Sequence, residues 1–375
     1  MIPRGKLSIC FTNLLQAFGY CFFGKNRETI APDDKHYGNS MFCLSARTGL
    51  DLVLQSLKLD SGSEIIVSNV NIPDMFQILR HHQLEIIPIS IQRDTLAISI
   101  DELKSSITLR SKAILVTHLF GSIANMEPII EIAKQHQLIV IEDCAQAFDY
   151  NYCGHPKTDV ALFSFGLIKT TTCLTGGMLC FNNKSLFEQV KELNNQLPVQ
   201  QTKKYIAKVG KGIAIKVVTI SWIYTILYLI TQLFNKDFDE FLSGITKGFP
   251  GDDVMQKIRF QPCNANLRLL EYRINKIGAK KISARKELAI RILDLIPDHY
   301  KIGELAYKNS YWVLPIKTQN PEGLTSALRK VGIDATSKAS SLISLPLKNT
   351  HQNDLSLDYL VYIPIHKKLI NSIKM

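Results

Sequence analysis

The chain has 375 residues, of which 46% are hydrophobic and 21% charged, so it can bury a large core and is not disordered as a whole. Lys and Arg outnumber Asp and Glu by 44 to 33, and the net charge of +11 suits anionic partners: phosphorylated cofactors, nucleotide-sugars, acidic lipids or nucleic acid. The 8 cysteines include no C-x-x-C pair, which argues against a disulfide framework or a zinc site. The first apolar stretch contains Asn13 and Gln16 and lacks a cleavage site, so we expect no signal peptide and a cytoplasmic protein.

Helical and strand patterns alternate between residues 44 and 185. The predicted helices lie at residues 50–57, 72–79 and 128–135. The predicted strands lie at residues 65–67, 85–91, 113–116, 138–141, 160–165 and 178–181. Near-continuous Val, Ile and Leu strands separated by helices indicate a mostly parallel sheet buried on both faces, in a three-layer α/β/α domain. Ligands of such sheets bind beyond the carboxyl ends of the strands.

The C-terminal third has a different pattern. One long amphipathic helix or two is predicted at residues 264–295, a strand at 311–314 and a helix at 324–331, which together indicate a smaller α+β domain. We therefore divide the chain as follows: an N-terminal segment (1–40), a large domain (41–199), an insertion with an apolar helix (200–255), and a long helix with the small C-terminal domain (256–375).

An apolar strand ends in Asp143, and Gln146 follows three positions later. A carboxylate at the end of a strand can pair with the protonated ring nitrogen of a pyridine cofactor, which keeps the ring able to accept electrons. The amide of Gln146 can donate a hydrogen bond to a phenolic oxygen of the same cofactor. The alternative is an aspartate that only caps a strand-to-helix turn.

Lys169 lies in a mostly apolar stretch, five positions after Ser164 and before the glycine pair at 176–177. Burial lowers the pKa of a lysine and makes it a better amine nucleophile. Ser164 can bind a phosphate oxygen, and the glycines let the backbone turn tightly. By itself, such a lysine is more often a surface residue at the edge of a loop.

The segment from Ser45 to Gly49 leads into the first predicted helix with small and hydroxyl side chains. Free N–H groups and the positive end of the helix dipole make such a helix start a seat for phosphate. A plain serine cap is the alternative.

The three segments occur in a fixed order: the phosphate-seat helix, Asp-x-x-Gln, and Ser-x-x-x-x-Lys followed by Gly-Gly. In this order, and with the Thr-His-Leu-Phe-Gly turn at 117–121, they resemble the DegT/StrS family of sugar aminotransferases that use pyridoxal 5'-phosphate (PLP). The resemblance runs from residue 42 to 191 and resumes more faintly from 259. It implies the fold-type I architecture of PLP-dependent transferases, with residues 41–199 as the PLP-binding domain.

The resemblance also implies roles for individual residues. Lys169 would hold PLP as a Schiff base and shuttle protons, Asp143 would pair with the pyridinium nitrogen, and Gln146 would bind the phenolic oxygen. The groups that would hold the phosphate are Ser164 and the backbone or hydroxyl groups of Ala46, Arg47 and Thr48. The resemblance further implies a homodimer with active sites at the shared interface, where an Asn of the neighbouring subunit approaches the cofactor, and it implies no metal.

Three departures from the family pattern indicate a divergent subgroup. Ile72 stands where an aromatic residue usually stacks on the PLP ring, unless Phe76 substitutes for it. Gln261 is the nearest equivalent of the neighbouring subunit's Asn, and we count it among the cofactor-binding candidates. Threonines at 170–172 follow the lysine where Asn and Gly are common. These departures leave the substrate more open than the cofactor.

The insertion contains five lysines between 203 and 216 and then no charge from 217 to 235. A single membrane crossing would separate Lys169 from the rest of its domain, so we do not expect a simple span. Ser221, Thr225, Tyr228 and Gln232 form a weak polar stripe at helical spacing. Two interpretations stay open: residues 213–236 contact the membrane surface, which would make the protein peripheral on the inner face, or the helix packs on the core or the dimer partner.

The leading hypothesis is an aminotransferase that moves an amino group from glutamate to a keto-sugar, nucleotide-activated, in surface-glycan or lipid-linked sugar synthesis. Sugar dehydration is less favoured, because related dehydratases replace the lysine that is retained here as Lys169. A non-catalytic PLP-fold protein that acts as a membrane-associated scaffold or sensor is the alternative from another class. Nucleic-acid binding is the weakest option, because the basic residues flank the apolar run and no recognition motif is present.

Overall fold

The computed structural model describes residues 1–23, 31–33, 37–234, 237–240, 253–275, 280–338 and 341–373. The strands are β1 (Asn39–Cys43), β2 (Glu64–Ser68), β3 (Val70–Asn71), β4 (Glu85–Ile89), β5 (Ser111–Thr117), β6 (Ser122–Ile123), β7 (Ile139–Asp143), β8 (Val160–Ser164), β9 (Gly177–Phe181), β10 (Lys308–Asn309), β11 (Leu314–Lys317), β12 (Ile343–Ser344) and β13 (Leu360–Ile363). The helices are α1 (Phe11–Phe23), α2 (Ala46–Leu57), α3 (Pro73–His81), α4 (Ile100–Ser106), α5 (Glu127–Gln135), α6 (Lys184–Gln196), α7 (Thr202–Val218), α8 (Ser221–Leu233), α9 (Val254–Ile258), α10 (Asn264–Asn275), α11 (Lys280–Leu293), α12 (Pro321–Lys330) and α13 (Lys367–Ile373).

Seven strands form the central sheet in the order β1-β9-β8-β7-β5-β2-β4. Strands β8, β7, β5, β2 and β4 run parallel to one another, whereas β9 runs antiparallel to both β1 and β8. Strand β7 lies in the middle of the row, so the residue that ends it reaches the centre of the carboxyl edge of the sheet. This is where ligands of parallel sheets bind.

Both faces of the sheet are covered. In β5, Ala113 and Leu115 belong to a hydrophobic cluster with helices α2 and α3, while Ile114 and Val116 belong to a second cluster with helix α5. Alternate residues of a strand point to opposite faces, so a strand buried on both faces must be apolar at every position. The three-layer arrangement confirms the predicted fold.

The C-terminal part contains short two-stranded sheets in which β11 pairs with β13, and β10 and β12 pair with β6 and β3. The strand predicted at 311–314 is wrong, because the strand begins at Leu314. Tyr311 has a φ of 51°, and Arg285 donates hydrogen bonds to the carbonyl oxygens of Tyr311 and Trp312, each at 2.6 Å. These carbonyl oxygens therefore accept hydrogen bonds from a guanidinium and not from a neighbouring strand.

The N-terminal helix α1 packs on the large domain together with α7 and α10. Leu14, Tyr205, Leu269 and the sheet residues Phe163 and Met178 share one hydrophobic cluster. Among the described helices, none alone has the length and apolar composition of a bilayer span; α7 and α8 meet those criteria only as a pair, and the pair is bent by 87°.

Candidate active site

Asp143 ends β7 and is almost completely buried. Its Oδ2 accepts a hydrogen bond of 2.9 Å from Asn71 Nδ2, and its Oδ1 accepts one of 3.0 Å from the backbone N–H of Ala145. Asn71 Nδ2 also donates to Thr117 Oγ1 at 2.8 Å, and Thr117 lies beside Asp143 in the β5–β7 register. The carboxylate therefore has a fixed orientation. Asn71 is a site residue that the sequence did not indicate.

Gln146 lies in the turn after β7, and its Oε1 accepts a hydrogen bond of 2.8 Å from the backbone N–H of Phe120. A backbone N–H can only donate, so this contact fixes which end of the amide is the oxygen. Nε2 is then the end that remains to donate to a ligand. Phe120 itself lies in a left-handed turn, with a φ of 60°.

Lys169 follows β8 in a loop, where its backbone N–H donates to Gly166 O at 3.1 Å. Its Nζ lies 4.2 Å from the centre of the Trp312 ring, and Trp312 Nε1 donates to Ile168 O at 3.0 Å. Burial lowers the pKa of Lys169 to about 8; the charge of Asp143 opposes this shift and that of Arg47 adds to it. The three groups are thus close enough to influence one another, as the motif order predicts.

The predicted phosphate seat lies at the start of helix α2. Ser45 caps the helix by accepting a hydrogen bond of 3.1 Å from Thr48 N, and Thr48 Oγ1 donates to Ile258 O at 2.9 Å. Because the Thr48 hydroxyl is buried and donates to Ile258, the backbone N–H groups of Ala46 and Arg47 at the helix start are the better candidates for phosphate donors.

Ser164 ends β8 and pairs in register with Gly177 of β9. A Cβ on Gly177 would lie 2.6 Å from the backbone carbon of Ser45 and 2.8 Å from Ala46 N. Only a glycine lets β9 pass this close to the helix start, which places Ser164 beside the seat. Arg47, the third seat residue, forms an ion pair with Asp74.

Among the described residues, the candidates Gln261 and Phe76 make their contacts outside this group. Gln261 Nε2 donates to the carbonyl oxygens of Asn195 and Leu197, at 3.1 and 2.7 Å. Phe76 and Ile72 are the two candidates for stacking on the ring. Phe76 is a residue of α3 that points into the core, whereas Ile72 is half-buried directly before that helix. Ile72 is therefore better placed than Phe76 to meet a ligand.

A cleft of about 790 Å³ opens at Lys169. Its walls come from the N-terminal segment, α7, the start of α8 and the C-terminal part, and they include Lys211, Arg285, Trp312 and Tyr362. Trp312 and Arg285 belong to no motif. The one sequence signal for Trp312 is that the chain has only two tryptophans.

A buried group beside the end of β7 consists of His118, Glu142 and the thiol of Cys144. Their possible ligand atoms lie close enough together to suggest a metal site. However, His118 Nδ1 accepts from Ala124 N at 3.2 Å, which leaves Nε2 to donate to Glu142 Oε2 at 2.7 Å. Burial raises the pKa of the Cys144 thiol well above its ordinary value, so the thiolate that binds metals is not formed. The group is a satisfied hydrogen-bond network that supports the end of β7.

The site residues fit a pyridine cofactor that carries a phosphate. The fixed carboxylate matches the ring nitrogen, and the amide donor matches the phenolic oxygen. The lysine of lowered pKa matches the aldehyde, and the helix start lined by glycine matches the phosphate. The buried polar atoms of Asp143 and Gln146 are oriented by backbone and side-chain donors before any ligand binds. The arrangement is therefore preorganised.

Comparison with known proteins gives the same picture. The family model for the DegT/DnrJ/EryC1/StrS aminotransferase family matches residues 35–221, about half of the chain. GDP-perosamine synthase of Escherichia coli O157:H7 is 33% identical over 150 residues, which are 39% of this chain and 41% of that protein. GDP-perosamine synthase of Caulobacter vibrioides is 32% identical over 166 residues, 42% of this chain and 43% of that protein. The matched stretch thus spans less than half of the length of either curated relative.

Solved structures extend the similarity of fold over the full chain. The sugar aminotransferase CalS13 from Micromonospora echinospora has a TM-score of 0.68 at 15% identity, covering 100% of this chain and 98% of that one. GDP-4-keto-6-deoxy-D-mannose-3-dehydratase of E. coli with bound hydrated PLP has a TM-score of 0.69 at 17% identity, covering 100% and 97%. Together with the family match, these similarities show that the chain belongs to the DegT/DnrJ/EryC1/StrS aminotransferase family and has its fold.

Proposed function

We propose that the protein is a PLP-dependent aminotransferase that moves an amino group from glutamate to the keto group of a nucleotide-activated sugar. The observation that carries this proposal is the position of Lys169, whose pKa is lowered to about 8, within electrostatic range of Asp143 at the carboxyl edge of the sheet. The name of the relatives, GDP-perosamine synthase, supports a nucleotide-linked amino sugar as the product class.

Bound PLP would supply an electron-accepting ring next to the donor's reacting carbon. Asp143 would hold a proton on the ring nitrogen, since Asn71 and Ala145 keep its two oxygens in place. Gln146 Nε2 would donate to the phenolic oxygen, and the start of α2 with Ser164 would bind the phosphate.

Lys169 would have two tasks. Its neutral Nζ would hold the cofactor covalently. When the amino donor has displaced it, the same nitrogen would take a proton from the donor's reacting carbon and deliver a proton to the cofactor. Both tasks need the neutral amine, and burial of this side chain enlarges the neutral fraction at neutral pH by lowering the pKa of Lys169. Trp312 contacts both Lys169 Nζ and the Ile168 carbonyl oxygen, and it would hold the loop that carries Lys169 in place at the wall of the cleft.

The cleft supports charged substrates. Arg285 stays cationic at neutral pH even though burial lowers its pKa to about 10, and Lys211 also lines the cleft. These cations suit the carboxylates of glutamate and the phosphates of a nucleotide-sugar.

Two finer points belong to the proposal. We propose a homodimer, in which Gln261, which does not line its own chain's cleft at Lys169, would serve a partner's site. We also propose that the enzyme is cytoplasmic and peripheral on the inner face of the membrane, with contact through residues 213–236. The half-exposed apolar surface of α8 supports this contact.

The test uses purified full-length protein loaded with PLP. Borohydride reduction and mass spectrometry are expected to find the cofactor on Lys169, and Lys169→Ala should lose both the adduct and the conversion of glutamate with GDP-4-keto-6-deoxymannose. Lys104→Ala is the control, because that lysine is exposed and remote. Protein that retains no PLP, or Lys169→Ala that reacts like the wild type, would refute the proposal. PLP binding without turnover of any donor and keto-sugar pair would favour the scaffold alternative.

A further inference from the structure

Helix α8 presents its apolar side to solvent. Leu229 and Leu233 are 59% and 78% exposed, and together with Trp222 and Ile226 they occupy positions i, i+4, i+7 and i+11, which form one face of a helix. The opposite side contacts the protein through the buried Tyr224, which donates its hydroxyl hydrogen to Asp334 and packs its ring against Phe238. A surface helix of a globular protein shows the reverse arrangement.

Helix α1 has the same pattern. Phe11, Leu15, Phe18 and Phe22 are exposed and again stand at i, i+4, i+7 and i+11. The inward side of the helix carries Leu14 and packs against α7 and α10. Two separate segments of the chain therefore expose apolar stripes with the same spacing. Single apolar residues scattered over a surface are common, but they do not form stripes of this kind.

The two stripes begin next to each other. Lys216, near the end of α7, donates to Leu7 O at 3.1 Å, and its Nζ lies 6.0 Å from the centre of the Phe11 ring. Helix α8 begins five residues after Lys216. We refer to the two stripes together, Phe11, Leu15, Phe18, Phe22, Trp222, Ile226, Leu229 and Leu233, as the apolar face.

The two segments that carry the apolar face are basic. Residues 1–23 and 202–233 contain no Asp or Glu, but they contain Lys6 and the lysines at 203, 204, 208, 211 and 216. The carboxylates that follow α8 are already paired, Asp237 with Lys338 and Asp239 with Arg4 and Arg329. A second copy of this chain packed symmetrically on the face would bring the same lysines towards one another. An anionic surface would instead attract them.

We propose that the apolar face docks in the interfacial layer of a lipid bilayer that contains anionic headgroups. The aromatic and aliphatic stripes would enter the boundary between headgroups and acyl chains, and the flanking lysines would bind the headgroups. The link to the substrate rests on the proposed function: α7 and α8 also line the cleft at Lys169, so docking would present the cleft to an acceptor sugar at the membrane.

The test measures flotation of the full-length protein with vesicles of phosphatidylcholine alone or with one-third phosphatidylglycerol. We expect binding to the anionic vesicles, weakened by salt because the lysine contribution is screened. Leu229→Glu/Leu233→Glu should lower the bound fraction on the order of tenfold, because two carboxylates must then enter the lipid boundary. Leu109→Glu/Leu305→Glu is the matched control, since these leucines are 98% and 72% exposed outside the face. All four side chains are exposed, so the variants should keep the wild-type unfolding midpoint.

A second pair, Phe18→Glu/Phe22→Glu, tests whether α1 contributes to the same face and should show a similar loss. The proposal is overturned if the wild type does not float with anionic vesicles, or if the variants in the apolar face float as well as the control. It is also overturned if sedimentation shows that Leu229→Glu/Leu233→Glu separates a dimer while flotation is unchanged. Flotation needs neither PLP nor turnover, so its outcome is independent of the proposed activity.

Discussion

The titration of Lys169 is the most direct physical test of the site. Burial lowers its pKa from 10.5 to about 8, the charge of Asp143 raises it and the charge of Arg47 lowers it. At pH 7 a lysine with a pKa of 8 is neutral in about one molecule in ten, whereas one with a pKa of 10.5 is neutral in about three in ten thousand. The neutral fraction of Lys169 is therefore about 300-fold larger than that of an ordinary lysine at this pH.

Competitive labelling with acetic anhydride across a pH series measures this fraction on cofactor-free protein. Mass spectrometry of the peptides follows Lys169 and, as an internal reference in the same sample, the exposed Lys104. We expect labelling of Lys169 to reach half of its maximum near pH 8. Normalisation to the reference removes the pH dependence of the reagent itself.

Two substitutions should move this midpoint in opposite directions. Asp143→Asn removes the carboxylate that raises the pKa of Lys169, so the midpoint should fall. Arg47→Gln removes a cation that lowers it, so the midpoint should rise. A loosened fold would expose Lys169 and raise the midpoint in both variants. A wild-type midpoint near 10, or shifts in the same direction for both variants, would refute the electrostatic account.

Two further predictions concern packing. Gly177→Ala should destabilise the protein by about 1–3 kcal/mol and weaken PLP retention, because its Cβ would lie 2.6 Å from the backbone of Ser45. Gly210→Ala is the control, because its Cβ would meet nothing within 4 Å. This variant should leave the free energy of unfolding in urea unchanged or slightly higher. Tyr224→Phe should cost about 1–3 kcal/mol in urea unfolding, because the buried Asp334 loses a donor. An unchanged denaturation midpoint in either variant would contradict the contact behind it.

The central sheet and the order of the site motifs followed from the sequence because their signals are local. The apolar run 139–141 predicts a strand whichever residues surround it, and the same run places Asp143 at the strand's end. Lys169, Ser164 and the helix start at Ser45 were likewise recognisable by residue type and spacing. The predicted helices and strands of the large domain are confirmed, with ends that differ by a few residues.

Contacts between distant segments decided the rest. Asn71 reaches Asp143 across 72 positions, and Trp312 reaches Ile168, the neighbour of Lys169, across 144 positions; no periodicity marks either residue. The strand predicted at 311–314 was displaced by Arg285, whose hydrogen bonds no local pattern contains. On α8, periodicity marked a polar stripe that includes Ser221 and Gln232, but both are exposed, and the side that faces the protein carries Tyr224 and Thr231 instead. The pattern could not tell which side of the helix faces the protein. That depends on Asp334, a buried carboxylate that needs a donor and obtains it from Tyr224, 110 positions away.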